Sequence, residues 1–143
     1  MNLTDSFGNL QNLEIFSIHD SNLTSLPKTF GNLQNLTKIY LWDTKISSLP
    51  NSFGNLKNLK IVELNSTHLS NFPESFGNLQ NLEKINCYNT PLSSLPESIG
   101  NLKKLKSFNA VISNLSTLPK SFGNLKNFEE ISLSYTYFIP FLL

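Results

Sequence analysis

Apolar side chains return along this chain every 23 residues. In the stretch LEKINCYNTPLSSLPESIGNLKK, from Leu82 to Lys104, positions 1, 4, 6, 11, 14, 18 and 21 are Leu82, Ile85, Cys87, Leu92, Leu95, Ile99 and Leu102. The preceding stretch puts Leu59, Val62, Leu64, Leu69, Phe72, Phe76 and Leu79 in the same places. The one before that puts Leu36, Ile39, Leu41, Ile46, Leu49, Phe53 and Leu56 there. Positions 4 and 6 alternate with polar neighbours, the period of a short strand with one buried face. Positions 15 to 20 run from Pro through a hydroxyl residue and a large apolar residue to Gly and Asn. That predicts a turn or a single helical turn, with Gly supplying positive φ where the chain reverses.

The periodicity is literal as well as statistical. SFGNLQNL stands at 6–13 and again at 75–82, with TFGNLQNL at 29–36, SFGNLKNL at 52–59, SIGNLKKL at 98–105 and SFGNLKNF at 121–128. All six glycines keep the 23-residue step, as do Pro27, Pro50, Pro73, Pro96 and Pro119. A catalytic motif is not written six times; a structural unit is. Such a unit cannot bury its apolar face alone. Neighbouring units must stack their strands in register and share one core, giving a parallel sheet on one side and turns on the other. The 143 residues then form a single domain of about six units, starting near Leu13, Leu36, Leu59, Leu82, Leu105 and Phe128.

The pattern LxxLxLxx(S/T)xLxxLPx(S/T)FGNLxN resembles the leucine-rich-repeat family. The resemblance implies an α/β solenoid: a curved, right-handed superhelix with a parallel β-sheet on the concave side and turns, short 3-10 or α helices on the convex side. The 23-residue length and the LP…GNL segment are similar to repeats of cytoplasmic signalling scaffolds, plant disease-resistance proteins and some bacterial proteins. One column departs from the family, which usually has Asn at position 9. Here that position holds Ser21, Thr44, Thr67, Thr90, Ser113 and Thr136. These hydroxyls are expected to bond the loop backbone and replace an asparagine ladder. The invariant asparagines stand at position 20 (Asn9, Asn32, Asn55, Asn78, Asn101 and Asn124) and are expected to bond the turn backbone beside the glycine. Residues 1–12 begin halfway through a unit, with Leu3 where Leu26 sits one step later. Phe128, Ile131, Leu133 and Phe138 are expected to complete a strand before Ile-Pro-Phe-Leu-Leu replaces the leucine-proline turn. End units need a polar outer face. The expectation is a piece of a longer array, or ends that self-associate.

Composition narrows the function classes. Hydrophobic residues make up 39%, charged residues only 15%, the formal net charge is +1, and all 11 basic residues are Lys. Without Arg or a basic run, nucleic-acid binding is not expected. The single Cys87 excludes an internal disulfide and a multi-cysteine metal site. There is no signal-peptide pattern and no apolar run of 18 residues, so no membrane insertion is expected and the lean is to the cytoplasm. Sequons begin at Asn2, Asn22, Asn35, Asn65 and Asn114, as chance produces in a chain this rich in Asn and Ser. His19 and His68 lie two repeats apart, about 10 Å by strand spacing, too far to share a metal. Cys87 occupies a core column. No Ser has a His and an acid beside it, and Asp43, Glu63 and Glu83 form no evident pair. No catalytic residue, cofactor or metal is therefore expected.

Stacking turns each position into a column. Columns 3, 5, 7 and 8 flank the buried strand residues and vary while the core columns do not. Column 5 runs Ser17, Tyr40, Glu63, Asn86, Asn109, Ser132; column 7 runs His19, Trp42, Asn65, Tyr88, Val111, Ser134. Tyr40 and Trp42 lie two apart on one strand and so face the same side, outside the core. The candidate protein-binding surface is His19, Tyr40, Trp42, Asn65 and Tyr88, with Lys38, Asp43, Glu63 and Asn86 around them. Exposed aromatics on a rigid sheet are common interface anchors; the competing reading is that they only pack on one another. The function expected is a non-catalytic protein-protein interaction module that binds a protein or peptide on its concave face. The alternative is a recognition segment of a larger signalling enzyme or receptor, such as a kinase, a ubiquitin ligase or a nucleotide-binding immune-type protein.

Overall fold

The computed structural model describes residues 1–135. Each 23-residue step makes one coil containing a strand and a five-residue 3-10 turn. The strands are β1 (Ile15–Ser21), β2 (Lys38–Thr44), β3 (Ile61–Glu63), β4 (Lys84–Asn86), β5 (Ser107–Asn109) and β6 (Glu130–Ser132). The turns are η1 (Asp5–Asn9), η2 (Lys28–Asn32), η3 (Asn51–Asn55), η4 (Glu74–Asn78), η5 (Glu97–Asn101) and η6 (Lys120–Asn124). The strands form one parallel sheet in sequence order. Its register advances one repeat per coil: Ile15 pairs with Lys38, Lys38 with Ile61, Ile61 with Lys84.

The leucine columns close a continuous interior between sheet and turns. Leu36, Ile39, Leu41, Leu59, Val62, Leu64, Leu82, Ile85 and Cys87 are fully buried. On the turn side the aromatic column makes a spine. Phe7, Phe30, Phe53 and Phe76 lie nearly parallel, with successive ring centroids 6.0, 6.2 and 6.0 Å apart. Strands in a sheet are about 4.8 Å apart. Each coil is therefore wider at its turn than at its strand, which puts the sheet on the concave side.

Proline starts each turn from η2 to η6 as the N-cap, held extended at φ near −66° in η2, and its carbonyl accepts the Phe30 N–H at 2.9 Å in that coil. The fixed φ and missing N–H of Pro suit a position just ahead of a helical turn. The glycines do not take the expected role. None has positive φ. They are needed for close approach instead: a Cβ on Gly54 would overlap the Ser75 carbonyl and side chain, and one on Gly31 would overlap Ser52 in the same way. Positive φ falls at the end of the strand segment, on column 8: Asp20, Asp43, Ser66, Asn89, Ile112 and Tyr135, between 48° and 58°.

The asparagine expectation is also corrected. The position-20 side chains are exposed, and among the described residues they make no hydrogen bond. Position 23 carries the ladder. The Nδ2 atoms of Asn35, Asn58 and Asn81 donate to the carbonyls of Gln11, Gln34 and Lys57, each at 2.7 Å, and Asn127 donates to Lys103 at 2.6 Å. The position-23 amide, at the entry to the strand, reaches a carbonyl one repeat back.

Among the described residues the column-9 hydroxyls do bond the loop backbone, with Thr44 the exception. Thr67 donates to the Leu64 carbonyl at 3.0 Å and Thr90 to the same oxygen at 2.8 Å. Ser21 and Ser113 accept the N–H groups of Leu23 and Leu115. Thr44 Oγ1 is buried without a partner. Thr136 and Phe138 lie outside the described residues. Ile131 does sit on β6, but half exposed.

Two comparisons test this packing. Gly54→Ala loses about 1–3 kcal/mol to overpacking, whereas Gly123→Ala, whose Cβ meets nothing within 4 Å, stays within about 0.5 kcal/mol of wild type; urea unfolding of both variants measures the difference. In the same assay Thr90→Val loses about 1 kcal/mol or more, because it removes a buried bond, and Thr44→Val is neutral or stabilising, because it removes an unpaired hydroxyl.

Candidate functional site

The concave face is built by the strand residues that point away from the core. On β2, Ile39 and Leu41 are buried, while Lys38, Tyr40 and Trp42 stand on the other side, partly exposed. Pleating alone would return residue 43 to the interior. The left-handed bend at Asp43 prevents this, so columns 7 and 8 both point outward and column 9 turns in. Asp43 is exposed and Thr44 buried. Asp, Asn and Ser, the residues of four of the six bends, are short polar side chains that can support this conformation locally.

His19, Tyr40 and Trp42 form one cluster. The His19 and Trp42 ring centroids are 4.5 Å apart, and Tyr40 meets Trp42 edge-on at 5.6 Å. The strand register places His19 directly opposite Trp42. The Ser17 hydroxyl lies 2.8 Å from His19 Nε2 and fixes that ring. Trp42 is half-buried, lies outside the leucine core, and holds its indole Nε1 buried without an acceptor.

The remaining candidates are placed one or two coils further. Asn65 and Asn86 both accept the Tyr88 N–H through Oδ1, at 3.1 and 3.2 Å. Their first task is to hold the strand end, with Tyr88 left 44% exposed. Glu63 is paired with Lys84 at 2.8 Å. Lys38 and Asp43 have no ion-pair partner among the described residues. The structure thus joins His19, Tyr40 and Trp42 by contact, and links Asn65, Asn86 and Tyr88 by hydrogen bonds. Two exposed apolar residues of the same edge, Ile112 and Tyr135, were in the column-8 sequence pattern but not among the candidates.

Among the described residues, no group of three or more His, Cys, Asp or Glu side chains is placed to hold a metal, and no helix is long and apolar enough to cross a membrane. Cys87 is fully buried, and burial pushes its thiol well above its ordinary value, away from thiolate chemistry.

The comparisons agree with this architecture. The model of the leucine-rich repeat region matches residues 51–138, and that of the single leucine-rich repeat matches residues 35–56. The chain belongs to the leucine-rich-repeat family. No curated protein sequence matches it significantly. Among solved structures it is similar to a leucine-rich-repeat protein of Leptospira interrogans, at 28% identity and TM-score 0.69, over 96% of this chain and 41% of that one. It is similar to a TDR receptor at 30% identity and TM-score 0.84, over 94% of this chain and 24% of the receptor. The fold also superposes on the PEPR1–AtPEP1 structure at TM-score 0.83 with 24% identity, over 94% of this chain and 20% of that one. The chain thus spans between a fifth and two fifths of the length of these structures.

Burial of Cys87 has a direct readout. In native protein at pH 8 the thiol fails to react with a disulfide reagent over hours, and in guanidinium it reacts within minutes; absorbance of the released thiolate reports both.

Proposed function

We propose that this chain is a non-catalytic protein-interaction module that holds a protein or peptide on its concave sheet, centred on His19, Tyr40 and Trp42. The observation that supports it most is the aromatic cluster itself. His19 and Tyr40 each pack against Trp42 on the solvent side of a sheet whose other face is already filled by leucines. Rigid aromatic surface of this kind loses little conformational freedom on docking. Asn65, Asn86 and Tyr88 extend the surface along the solenoid, and Lys38, Asp43 and Glu63 border it.

A second reading follows from the coverage. The chain matches about a quarter of a TDR receptor and a fifth of the PEPR1–AtPEP1 structure. On that reading this array is the recognition segment of a longer signalling protein. The two readings share the binding surface and differ in what lies beyond it. A kinase, ligase or nucleotide-binding domain in the same open reading frame selects the second.

The test of the shared surface is affinity capture with wild type and Trp42→Ala side by side. Loss of a central aromatic anchor weakens binding by about 30-fold or more, while circular dichroism and urea unfolding remain those of an intact solenoid. A Trp42→Ala protein that keeps every interaction of the wild type removes the concave cluster as the binding site.

A further inference from the structure

Position 22, just after each turn, is filled in two ways. Gln11, Gln34 and Gln80 fold back and donate through Nε2 to the carbonyls of Gly8, Gly31 and Gly77, at 2.8, 2.8 and 3.3 Å. Lys57, Lys103 and Lys126 hold the same place in the other three coils. Among the described residues their side chains make no hydrogen bond and no ion pair. Glutamine thus closes its own turn, whereas lysine gives up that bond and leaves a charge outside. Lysines stand at position 22 of two consecutive coils at one place, the junction of η5 and η6.

At that junction lies a depression of about 450 Å³, lined by Gly100, Asn101, Lys103, Asn124, Lys126 and Asn127, with no acidic side chain among them. Asn127 donates to the Lys103 carbonyl at 2.6 Å, which ties the two lysine-bearing segments together. Asn101 and Asn124 are exposed and unbonded. The neighbouring lysines are occupied: Lys104 Nζ lies 2.7 Å from Asn81 Oδ1, and Lys106 pairs with Glu83 at 3.1 Å. Between η3 and η4 the chain supplies its own control. The depression there is lined by Gly54, Asn55, Lys57, Asn78, Gln80 and Asn81. Position for position the two linings are the same, except that Gln80 stands where the other has Lys126.

Coils are about 4.8 Å apart at the strands, and the phenylalanine rings on the turn side are 6.0 Å apart. Lys103 and Lys126 are rooted at a spacing of that order, and two like charges so close repel. A negatively charged tetrahedral group between them removes the repulsion and receives a charge-assisted hydrogen bond from each ammonium group. The carboxamides of Asn101 and Asn124 have N–H donors free to join it. We propose that the groove between η5 and η6 is an anion site for a phosphate or sulfate group, held by Lys103 and Lys126 with Asn101 and Asn124 as neutral donors. The site lies on the turn side of the solenoid and does not rest on the concave-face reading. The groove between η3 and η4, one charge short, holds the same group more weakly.

The experiment is an NMR titration of the isotope-labelled chain at constant ionic strength, with chloride as the balancing anion, so that general screening is held fixed. The ligands are inorganic phosphate, inorganic sulfate and glucose 6-phosphate, with glucose as the neutral control. The side-chain amide signals of Asn101 and Asn124 shift to saturation with the oxyanions and not with glucose. Those of Asn55 and Asn78 respond with an affinity at least about tenfold lower, the worth of one charge-assisted bond. Equal affinity for phosphate and glucose 6-phosphate assigns the site to the free ion, and tighter binding of the ester assigns it to a group carried on an organic body. Lys126→Gln lowers affinity about tenfold and makes the two grooves alike. Gln80→Lys brings saturable shifts of matching affinity to Asn55 and Asn78. Both substituted side chains are exposed, and circular dichroism of both variants stays that of wild type. Shifts that never saturate, that are equal in the two grooves of the wild type, that survive Lys126→Gln, or that fail to appear in the Gln80→Lys variant overturn the site and reduce the lysine pair to solvated surface charge.

Discussion

In each of the turns η1 to η5 a glycine lies so close to the hydroxyl residue of the following turn that no side chain fits between them. Gly8 faces Thr29, Gly31 faces Ser52, Gly54 faces Ser75, Gly77 faces Ser98 and Gly100 faces Ser121. That approach sets the spacing of the turns. The spacing then brings position-23 asparagines within reach of the preceding coil's carbonyls, holds the phenylalanine rings parallel, and keeps strand paired with strand at a constant offset. Without it the sheet on the other side would lose its register, and with the register the concave surface would lose its shape.

The concave surface depends on a second local feature, the left-handed bend that ends each strand segment. It allows two consecutive residues to face solvent before the chain turns inward. It also carries the conformational cost of the site: four coils meet it with Asp, Ser or Asn, and two meet it with large apolar side chains. The solenoid is regular where it packs and irregular where it faces outward, and the irregular positions are those with strain, unpaired charge and exposed rings.

Much of the fold could be read from the sequence, because the 23-residue period fixes which columns are buried and which strands are neighbours. The errors arose where a contact joins residues in different coils. Glycine in a turn suggested positive φ, yet the constraint at Gly54 comes from Ser75, 21 residues away, and no local pattern reveals it. The two asparagine columns are alike in sequence; what separates them is that Asn35 reaches the Gln11 carbonyl of the preceding coil, while the Asn32 side chain is exposed and makes no hydrogen bond among the described residues. The left-handed positions did leave a signal, since Asp20, Asp43 and Asn89 repeat in one column. The candidate surface was legible as far as alternation reaches, which placed Tyr40 and Trp42 on one face. That the His19 ring lies tilted against Trp42, and that Asn65 and Asn86 serve the Tyr88 backbone, required coordinates.

The constant offset of the ladder makes the molecule a ruler with interchangeable divisions. Removing or inserting one full period among the first four coils leaves Gly opposite a hydroxyl residue, Phe against Phe and Asn beneath a carbonyl at the new junction, because those junctions share the same three matches; the fifth coil departs from them with Ile99 and Lys104. Recombination between identical stretches such as SFGNLQNL at 6–13 and 75–82 would change the array by whole coils. The concave face beside the aromatic cluster can thus lengthen or shorten in steps of one strand spacing while the architecture stays sound.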